Sequence, residues 1–149
     1  MQEEKEIDFT ASTNRGIWYF AHPYTKRGGP HNTFIPEAEE ANFNLCNMRA
    51  GELLRRGFNI YSPISHTHPI HRASPTFLGL HEHAMWYALD NEIIDSIQWH
   101  GIILAPEWET SLGCIAEKKR IFKISRLIKT YDTLIQTIPV LEKFVCLPN

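Results

Sequence analysis

The stretch Gly16-Ile17-Trp18-Tyr19-Phe20-Ala21, which stops at His22-Pro23, decides the fold of this chain. Its compact run of aromatic and β-branched residues predicts a buried strand. Similar short runs at 58–61, 101–104 and 126–129 predict three further strands. Helical patterns separate these strands, and no hairpin signal joins any two of them. The alternation predicts parallel pairing and a three-layer α/β sandwich with a central parallel sheet.

Four helical patterns accompany the strands. The first begins at Pro36, where proline and nearby glutamates suit a first turn, and ends before Gly57. Its predicted inward stripe is Ala41, Leu45, Met48 and Leu53. The other three patterns cover about 79–98, 111–122 and 133–144.

Two segments lack helical or strand periodicity. Residues 1–15 are polar and aperiodic, which predicts a flexible tail ahead of a single domain over 16–149. Residues 64–77 are rich in proline and histidine and predict a long irregular loop. Loops of that length inside compact domains usually serve a site.

Bulk properties exclude several classes of function. Apolar residues make up 43% of 149 residues, which suits one folded domain. The net charge of -2 argues against a nucleic-acid polymer as partner, and no apolar run approaches a membrane span. The start of the chain is not a secretory signal. Cys46, Cys114 and Cys146 are odd in number and far apart, which favours buried thiols in a reducing cytoplasm.

The strongest local motif runs from Trp108 to Gly113 and continues to Glu117. It lies at a strand-to-helix junction, where free backbone N–H groups favour an anion and Gly113 permits close approach. Glu117 follows Ser111 by six residues. The alternative interpretation makes Ser111 a helix N-cap and Glu117 an ordinary surface carboxylate.

Asp90 is the second candidate, because it adjoins the apolar positions Leu89 and Ile93 of a predicted helix. A carboxylate there is costly without a partner or a task. A solvated helix residue is the alternative. Two carboxylates that meet in one cleft are what glycosidic cleavage requires, one to attack and one to protonate the leaving group.

Several histidines invite a metal hypothesis: His66, His68, His71, His81 and His83. A zinc deaminase needs a Pro-Cys-x-x-Cys partner, and the chain has no cysteine pair. We therefore predict no metal. His66, His68 and His71 are expected to line a pocket wall at the carboxyl ends of the strands, where open parallel sheets bind ligands.

Four groups of residues occur in a specific order: Tyr19-Phe20-Ala21-His22-Pro23-Tyr24, Ser62-Pro63-Ile64-Ser65-His66, Trp86 with Asp90, and Trp108-x-x-Ser111-x-Gly113-x-x-x-Glu117. In that order and spacing the chain resembles the nucleoside 2-deoxyribosyltransferase superfamily, closest to its short phage- and bacteria-type branch, over about residues 16–130.

The resemblance implies a flavodoxin- or Rossmann-like domain that takes a small nucleoside or nucleotide without a cofactor. It implies that Glu117 attacks the anomeric carbon, that Asp90 protonates or orients the leaving base, and that Tyr19 holds Glu117 by a hydrogen bond. It also implies a homodimer or higher homo-oligomer whose neighbouring subunits complete each site. The expected substrate-binding residues are Ser111, Gly113, His22, Pro23, Tyr24, His66, Trp86 and Trp108.

The transferases of this superfamily that act on free nucleosides carry an acidic residue at the position that Ser111 occupies in this chain. A carboxylate would repel a 5′-phosphate, whereas a hydroxyl at a helix start accommodates one. The resemblance thus favours hydrolysis of a nucleoside 5′-monophosphate, with Lys26 or Arg27 as a possible counter-charge. A base-exchanging transferase and a nucleotide-binding module without catalysis are the alternatives.

Overall fold

A computed structural model describes residues 16–74 and 82–141 of the chain. Its main sheet has four strands, which are β1 (Ile17–Ala21), β4 (Ile60–Tyr61), β5 (Trp99–Leu104) and β6 (Ile128–Thr130). They pair in parallel in the order β4-β1-β5-β6. The helices are α1 (Pro36–Arg55), α2 (Pro63–Ala73), α3 (Glu82–Ser96), α4 (Leu112–Phe122) and α5 (Tyr131–Thr137). No helix in the described ranges is long and apolar enough to cross a membrane.

Each face of the sheet carries its own apolar cluster. Trp18 and Phe20 of β1 point to one face, where they pack with α1 and α5. Tyr19 and Ala21 point to the other face, where they pack with α3 and α4. This alternation follows from the two-residue period of a strand. The predicted flavodoxin- or Rossmann-like three-layer sandwich is confirmed.

The strand order creates a switch point between β1 and β5. From β1 the chain crosses to β4 on one side, and then returns past β1 to form β5 on the other side. Tyr19 pairs with Tyr61 of β4 and with Ile102 of β5. Ligands of open α/β sheets bind beyond the carboxyl ends of the strands at such a point.

The predicted irregular loop over 64–77 is wrong over most of its length, because residues 63–73 form α2. Ser62 caps this helix by accepting a hydrogen bond from the backbone N–H of Ser65. Pro63 lies in the first turn, where no backbone N–H is needed. Pro69 lies inside the helix on its exposed side, where water can serve the freed carbonyl. Residues 75–77 lie outside the described ranges.

A short hairpin also contradicts the expectation that no strands pair in antiparallel fashion. Arg27–Gly28 (β2) pairs with Thr33–Phe34 (β3) in the segment between β1 and α1. Gly29, at a φ of 75°, turns the chain between them. This ribbon is separate from the parallel sheet.

Two helices differ from their predicted limits or stripes. Of the predicted inward stripe of α1, Leu53 is buried and Leu45 half-buried, as expected, but Ala41 and Met48 are exposed. The other buried residues are Cys46 and Ala50, which share the helix face of Leu53. The last helix ends at Thr137 instead of 144, since Ile138 precedes a proline and takes an extended conformation. The predicted tail at 1–15, the start of the predicted helix at 79–81, and residues 142–149 lie outside the described residues.

Candidate active site

A hydrogen bond between Tyr19 and Glu117 forms the centre of the site. The Tyr19 hydroxyl donates to Glu117 Oε1 at 2.9 Å, across 98 positions of the sequence. Tyr19 is fully buried on β1 and makes an edge contact with the Trp99 ring at 5.2 Å. Glu117 lies one turn into α4, on the helix face that carries buried Cys114 and Ile121. The structure therefore brings together two residues that the sequence could only place on separate elements.

Asp90 reaches the same region from α3. It is half-buried, and its Oδ1 atom is buried without a hydrogen-bond partner among the described residues. The Asp90 charge also contributes to raising the pKa of Tyr19, Tyr61 and Glu117. An enclosed carboxylate oxygen without a partner costs free energy, which is characteristic of a group that has a task.

Burial dominates the electrostatics of both carboxyl groups. It raises the pKa of Asp90 to about 6. Burial, with a smaller contribution from the Asp90 charge, raises the pKa of Glu117 to about 8, against the opposing effect of the Tyr19 hydrogen bond. Between these values the two groups together hold one proton. Such a pair contains an acid and a base at neutral pH.

Tyr61 and His66 form the rim of this site next to β4. Tyr61 pairs in register with Tyr19, and the two rings lie 6.1 Å apart. Burial, followed by the charges of Asp90 and Glu117, raises the pKa of Tyr61 to about 12. The exposed His66 lies 3.3 Å from the Tyr61 hydroxyl through Nδ1. Tyr61 is absent from the predicted site, although its place at the end of the second strand, as an aromatic residue, was a usable signal.

Ser111 and Gly113 lie at the start of α4, as predicted. Ser111 is the N-cap, and its hydroxyl accepts from the backbone N–H of Cys114 at 3.3 Å. The hydroxyl also makes a hydrogen bond to the Cys114 side chain, which partly opposes the rise that burial causes in the pKa of that thiol. A Cβ atom added at Gly113 would meet only Ser111 Oγ, at 3.7 Å. Internal packing does not require the glycine, and the first turn of α4 is open to a ligand.

His22 and Pro23 end β1, but the His22 ring is engaged within the protein. Its Nδ1 atom lies 2.7 Å from the Pro23 carbonyl, and Arg49 lies 2.9 Å from Nε2. These contacts fit a neutral ring that donates from Nδ1 and accepts at Nε2. Burial lowers the pKa of His22, in agreement with that form. His22 thus orders the loop after β1. Arg49, from α1, was not predicted.

Tyr24 belongs to a second polar chain, between α1 and α2. Its hydroxyl lies 2.6 Å from His68 Nδ1, and His68 Nε2 lies 2.8 Å from Glu40 Oε2. His68 is buried, and the Phe43 ring stacks on it at 4.2 Å. These contacts tie the loop after β1 to the two helices that cover β4. Glu40 was not among the predicted residues.

The two predicted tryptophans lie in different places. Trp86 is half-buried on α3, one turn before Asp90, with an edge contact to the His71 ring at 6.5 Å. Residues four apart share a helix face, so Trp86 and Asp90 lie on the same side of α3. Trp108 instead lies beneath the Lys118 ammonium, 4.2 Å from it, beside a groove on α4. Glu117 does not line this groove.

The chemistry open to this arrangement is attack by one carboxylate and proton transfer by the other. Within residues 16–74 and 82–141, no group of three histidine, cysteine, aspartate or glutamate side chains is arranged to hold a metal ion. The two buried thiols near Glu117 are poor nucleophiles. Burial raises the pKa of Cys46 to about 11 and that of Cys114 to about 12.

Comparison with known proteins bears on the family of the chain. A search of curated proteins finds no match. One family model, described as a domain of unknown function (DUF1937), matches residues 16–132. The matched range contains β1, α3 and α4, and therefore Tyr19, Asp90 and Glu117. Since the match covers most of the chain, the protein belongs to the DUF1937 family.

Proposed function

We propose that this protein cleaves the N-glycosidic bond of a deoxynucleoside 5′-monophosphate by a retaining mechanism. The nucleoside 2-deoxyribosyltransferase superfamily, which its motifs resemble, supplies the model. One observation carries the proposal. The carboxyl group of Glu117, held by Tyr19, lies close enough to the Asp90 charge to be affected by it, and one Asp90 oxygen is buried and unpartnered among the described residues. Two neighbouring carboxyl groups match the requirement of glycosidic cleavage.

The first step uses the single proton that the pair holds near neutral pH. When that proton resides on Asp90, Glu117 is a carboxylate and attacks the anomeric carbon. The new bond joins a Glu117 oxygen to that carbon, and the bond from the carbon to the base nitrogen breaks. The electron pair leaves with the base, which takes the proton from Asp90. Tyr19 keeps its donor on Glu117 and orients the attacking oxygen.

The second step releases the sugar. Asp90, now a carboxylate, accepts a proton from water as the water oxygen attacks the anomeric carbon. The ester bond to Glu117 breaks, and its electron pair returns to the carboxylate. The product is a deoxyribose 5-phosphate of retained configuration, and the pair again holds one proton. In the transferase alternative, a second base replaces the water.

The phosphate is assigned on the basis of Ser111 and Gly113. The Ser111 side chain caps α4 without adding a negative charge, and the open first turn of α4 adds backbone N–H groups and the positive end of the helix dipole. We further propose that the protein works as a homodimer or higher homo-oligomer in the cytoplasm, on small molecules alone. His66 and Trp86 would then contact the sugar or base from the rim.

The test is release of free base from each deoxynucleoside 5′-monophosphate and from the matching nucleosides, followed by chromatography. We expect release from the monophosphates without any acceptor. Glu117→Ala should abolish it, while Glu109→Ala, at an exposed carboxylate of the neighbouring turn, should not. Circular dichroism establishes that both variants are folded. A 2-fluoro-2-deoxy substrate analogue should leave a covalent adduct on the peptide that contains Glu117.

Three results would decide against parts of the proposal. If a new nucleoside forms only when a second base is added, the protein is a transferase. Saturable binding with neither product nor adduct indicates a binding module. Substantial base release by folded Glu117→Ala contradicts the assignment of the nucleophile.

A further inference from the structure

The side of α4 that faces away from Glu117 lines an open groove, which we call the α4 groove. Its volume is about 830 Å³. Ile115 and Phe122 of α4 form its apolar floor with Trp108 and Ile128. Phe122 is 43% exposed, and the Arg126 guanidinium lies 5.2 Å from the centre of its ring. Glu117 does not line the groove, so the feature is separate from the candidate active site.

The rim of the α4 groove is basic. Lys118, Lys119 and Lys123 line it, and Glu109 is the one acidic residue among its lining. Lys118 lies over the Trp108 ring, but Lys119 and Lys123 have no carboxylate within ion-pair distance in the described ranges. An apolar floor with a rim of three lysines and one glutamate fits a segment that alternates acidic and apolar side chains.

The chain contains such a segment near its amino end. Residues 3–9 read Glu-Glu-Lys-Glu-Ile-Asp-Phe, with four carboxylates, one ammonium group and two large apolar side chains. The carboxylates complement the lysine rim, and Ile7 and Phe9 complement the apolar floor. On another side of α4, Arg120 forms an ion pair with Asp95 of α3.

The attachment point brings this segment within reach. Gly16, where the described chain begins, precedes β1 at the amino edge of the sheet. β6, which supplies Ile128 to the groove, lies two strands away, about 10 Å. Residues 10–15 can span at most about 20 Å. Residues 3–9 can therefore reach the α4 groove within one chain.

We propose that residues 3–9 bind in the α4 groove of the same chain, with Ile7 and Phe9 on its floor and the carboxylates on its lysine rim. The bound segment covers the outer side of the helix whose inner side carries Glu117. It thereby holds α4 against the sheet. An acidic segment of another molecule is the competing occupant.

The test is zero-length carbodiimide cross-linking of the full chain, which joins carboxylates to amines in contact, followed by mass spectrometry. We expect cross-links from residues 3–8 to Lys119 and Lys123. A mixture of ¹⁴N- and ¹⁵N-labelled protein separates the sources, since a contact within one chain gives peptides of a single isotope. Lys119→Glu with Lys123→Glu should lose the cross-links. Lys129→Glu, an exposed lysine outside the groove, should keep them.

Two further variants test the specificity of the contact. Ile7→Ser with Phe9→Ser leaves every charge in place, and we expect it to abolish the cross-links if the apolar floor is used. Substitution of Glu3, Glu4 and Glu6 by lysine, in a chain that also carries Lys119→Glu and Lys123→Glu, should restore the cross-links. If every cross-linked peptide pair contains one ¹⁴N and one ¹⁵N partner, the segment in the groove comes from a second copy of the chain. Equal cross-linking to Lys129, or no cross-link at all, would overturn the proposal.

Discussion

At the scale of single residues, the carboxyl groups of Glu117 and Asp90 lie where charge is costly. Their pKa values, about 8 and about 6, are both raised mainly by burial. A nucleophile must be ionised, yet Glu117 holds a proton at neutral pH when the site has no ligand. The proposed reaction resolves this conflict because the same proton is the one that Asp90 delivers to the leaving base. A substrate is needed to move it.

Glu117, whose side chain is half-buried and whose pKa is raised, should make folding stability depend on pH. Its folded pKa is about 8 and its ordinary value is 4.5, so the stability it provides is complete below pH 4.5 and declines up to about pH 8. Glu117→Gln lacks this contribution and keeps only the smaller one from Asp90, whose pKa burial raises to about 6. We expect the variant to lose about 10⁴-fold or more in activity and to be more stable than the parent at pH 8. Urea unfolding at pH 5 and pH 8 measures this.

The matched control for this measurement is Glu109→Gln, which alters an exposed carboxylate of the adjacent turn. It should leave the difference in unfolding free energy between pH 5 and pH 8 as in the parent. If Glu117→Gln is no more stable than the parent at pH 8, the carboxyl group is ionised in the folded protein at no cost. The proton-sharing mechanism would then fail.

Tyr19→Phe tests the hydrogen bond directly. The bond lowers the pKa of Glu117, so its removal should raise that pKa further. The rate should depend on pH as a bell with limbs near 6 and 8, and the variant should move the alkaline limb upward. Loss of one charge-assisted hydrogen bond costs about 1.5–3 kcal/mol, hence roughly a 10- to 100-fold fall in kcat/KM. An alkaline limb that stays in place would contradict the assignment.

At the scale of elements, periodic apolar runs predicted helices and strands well, whereas the prolines of α2 led to a wrong prediction. β1 and β5 are recognisable because their aromatic and β-branched residues are buried on both faces. α4 is recognisable from its Ser111 cap. α2 was missed because proline counted as a helix breaker wherever it occurred. The position of a proline relative to a cap and to solvent decides its effect, and sequence alone does not provide the exposure.

Pro69→Ala distinguishes the helix from the predicted loop. In α2 an alanine restores a backbone N–H one turn after Ser65, which removes the cost of about 3 kcal/mol that a proline imposes inside a helix. The unfolded chain, freed from the proline ring, gains entropy that lowers the free energy of unfolding by about 1 kcal/mol. We expect the free energy of unfolding to rise by about 1–2 kcal/mol. In an irregular loop the same change would lower it. Pro139→Ala, at an exposed site beyond α5, is the control and should lower it slightly.

At the scale of the whole molecule, the sheet order explains why the position of the site could be predicted from sequence but the contacts between its residues could not. The carboxyl edge of a parallel sheet was predictable, and so was the place of Ser111 beside it. The bond from Tyr19 to Glu117 joins β1 to α4 across 98 positions and depends on how far each helix extends past the sheet. The orphaned oxygen of Asp90 depends on packing between α3 and the sheet. No local pattern encodes such distances.

A ligand that binds only the folded chain stabilises the whole molecule, which gives a test independent of turnover. With Glu117→Gln as the protein, a deoxynucleoside 5′-monophosphate at a hundred times its Kd adds about 2.7 kcal/mol. For a domain of this size Tm should rise by roughly 5–10 °C. The matching nucleoside should give a smaller shift at equal concentration, because it lacks the phosphate. Ser111→Asp should abolish the difference by placing a carboxylate against that phosphate. Equal shifts from nucleoside and monophosphate with Ser111 intact would show that the start of α4 does not bind phosphate, and would return the substrate to the free nucleoside.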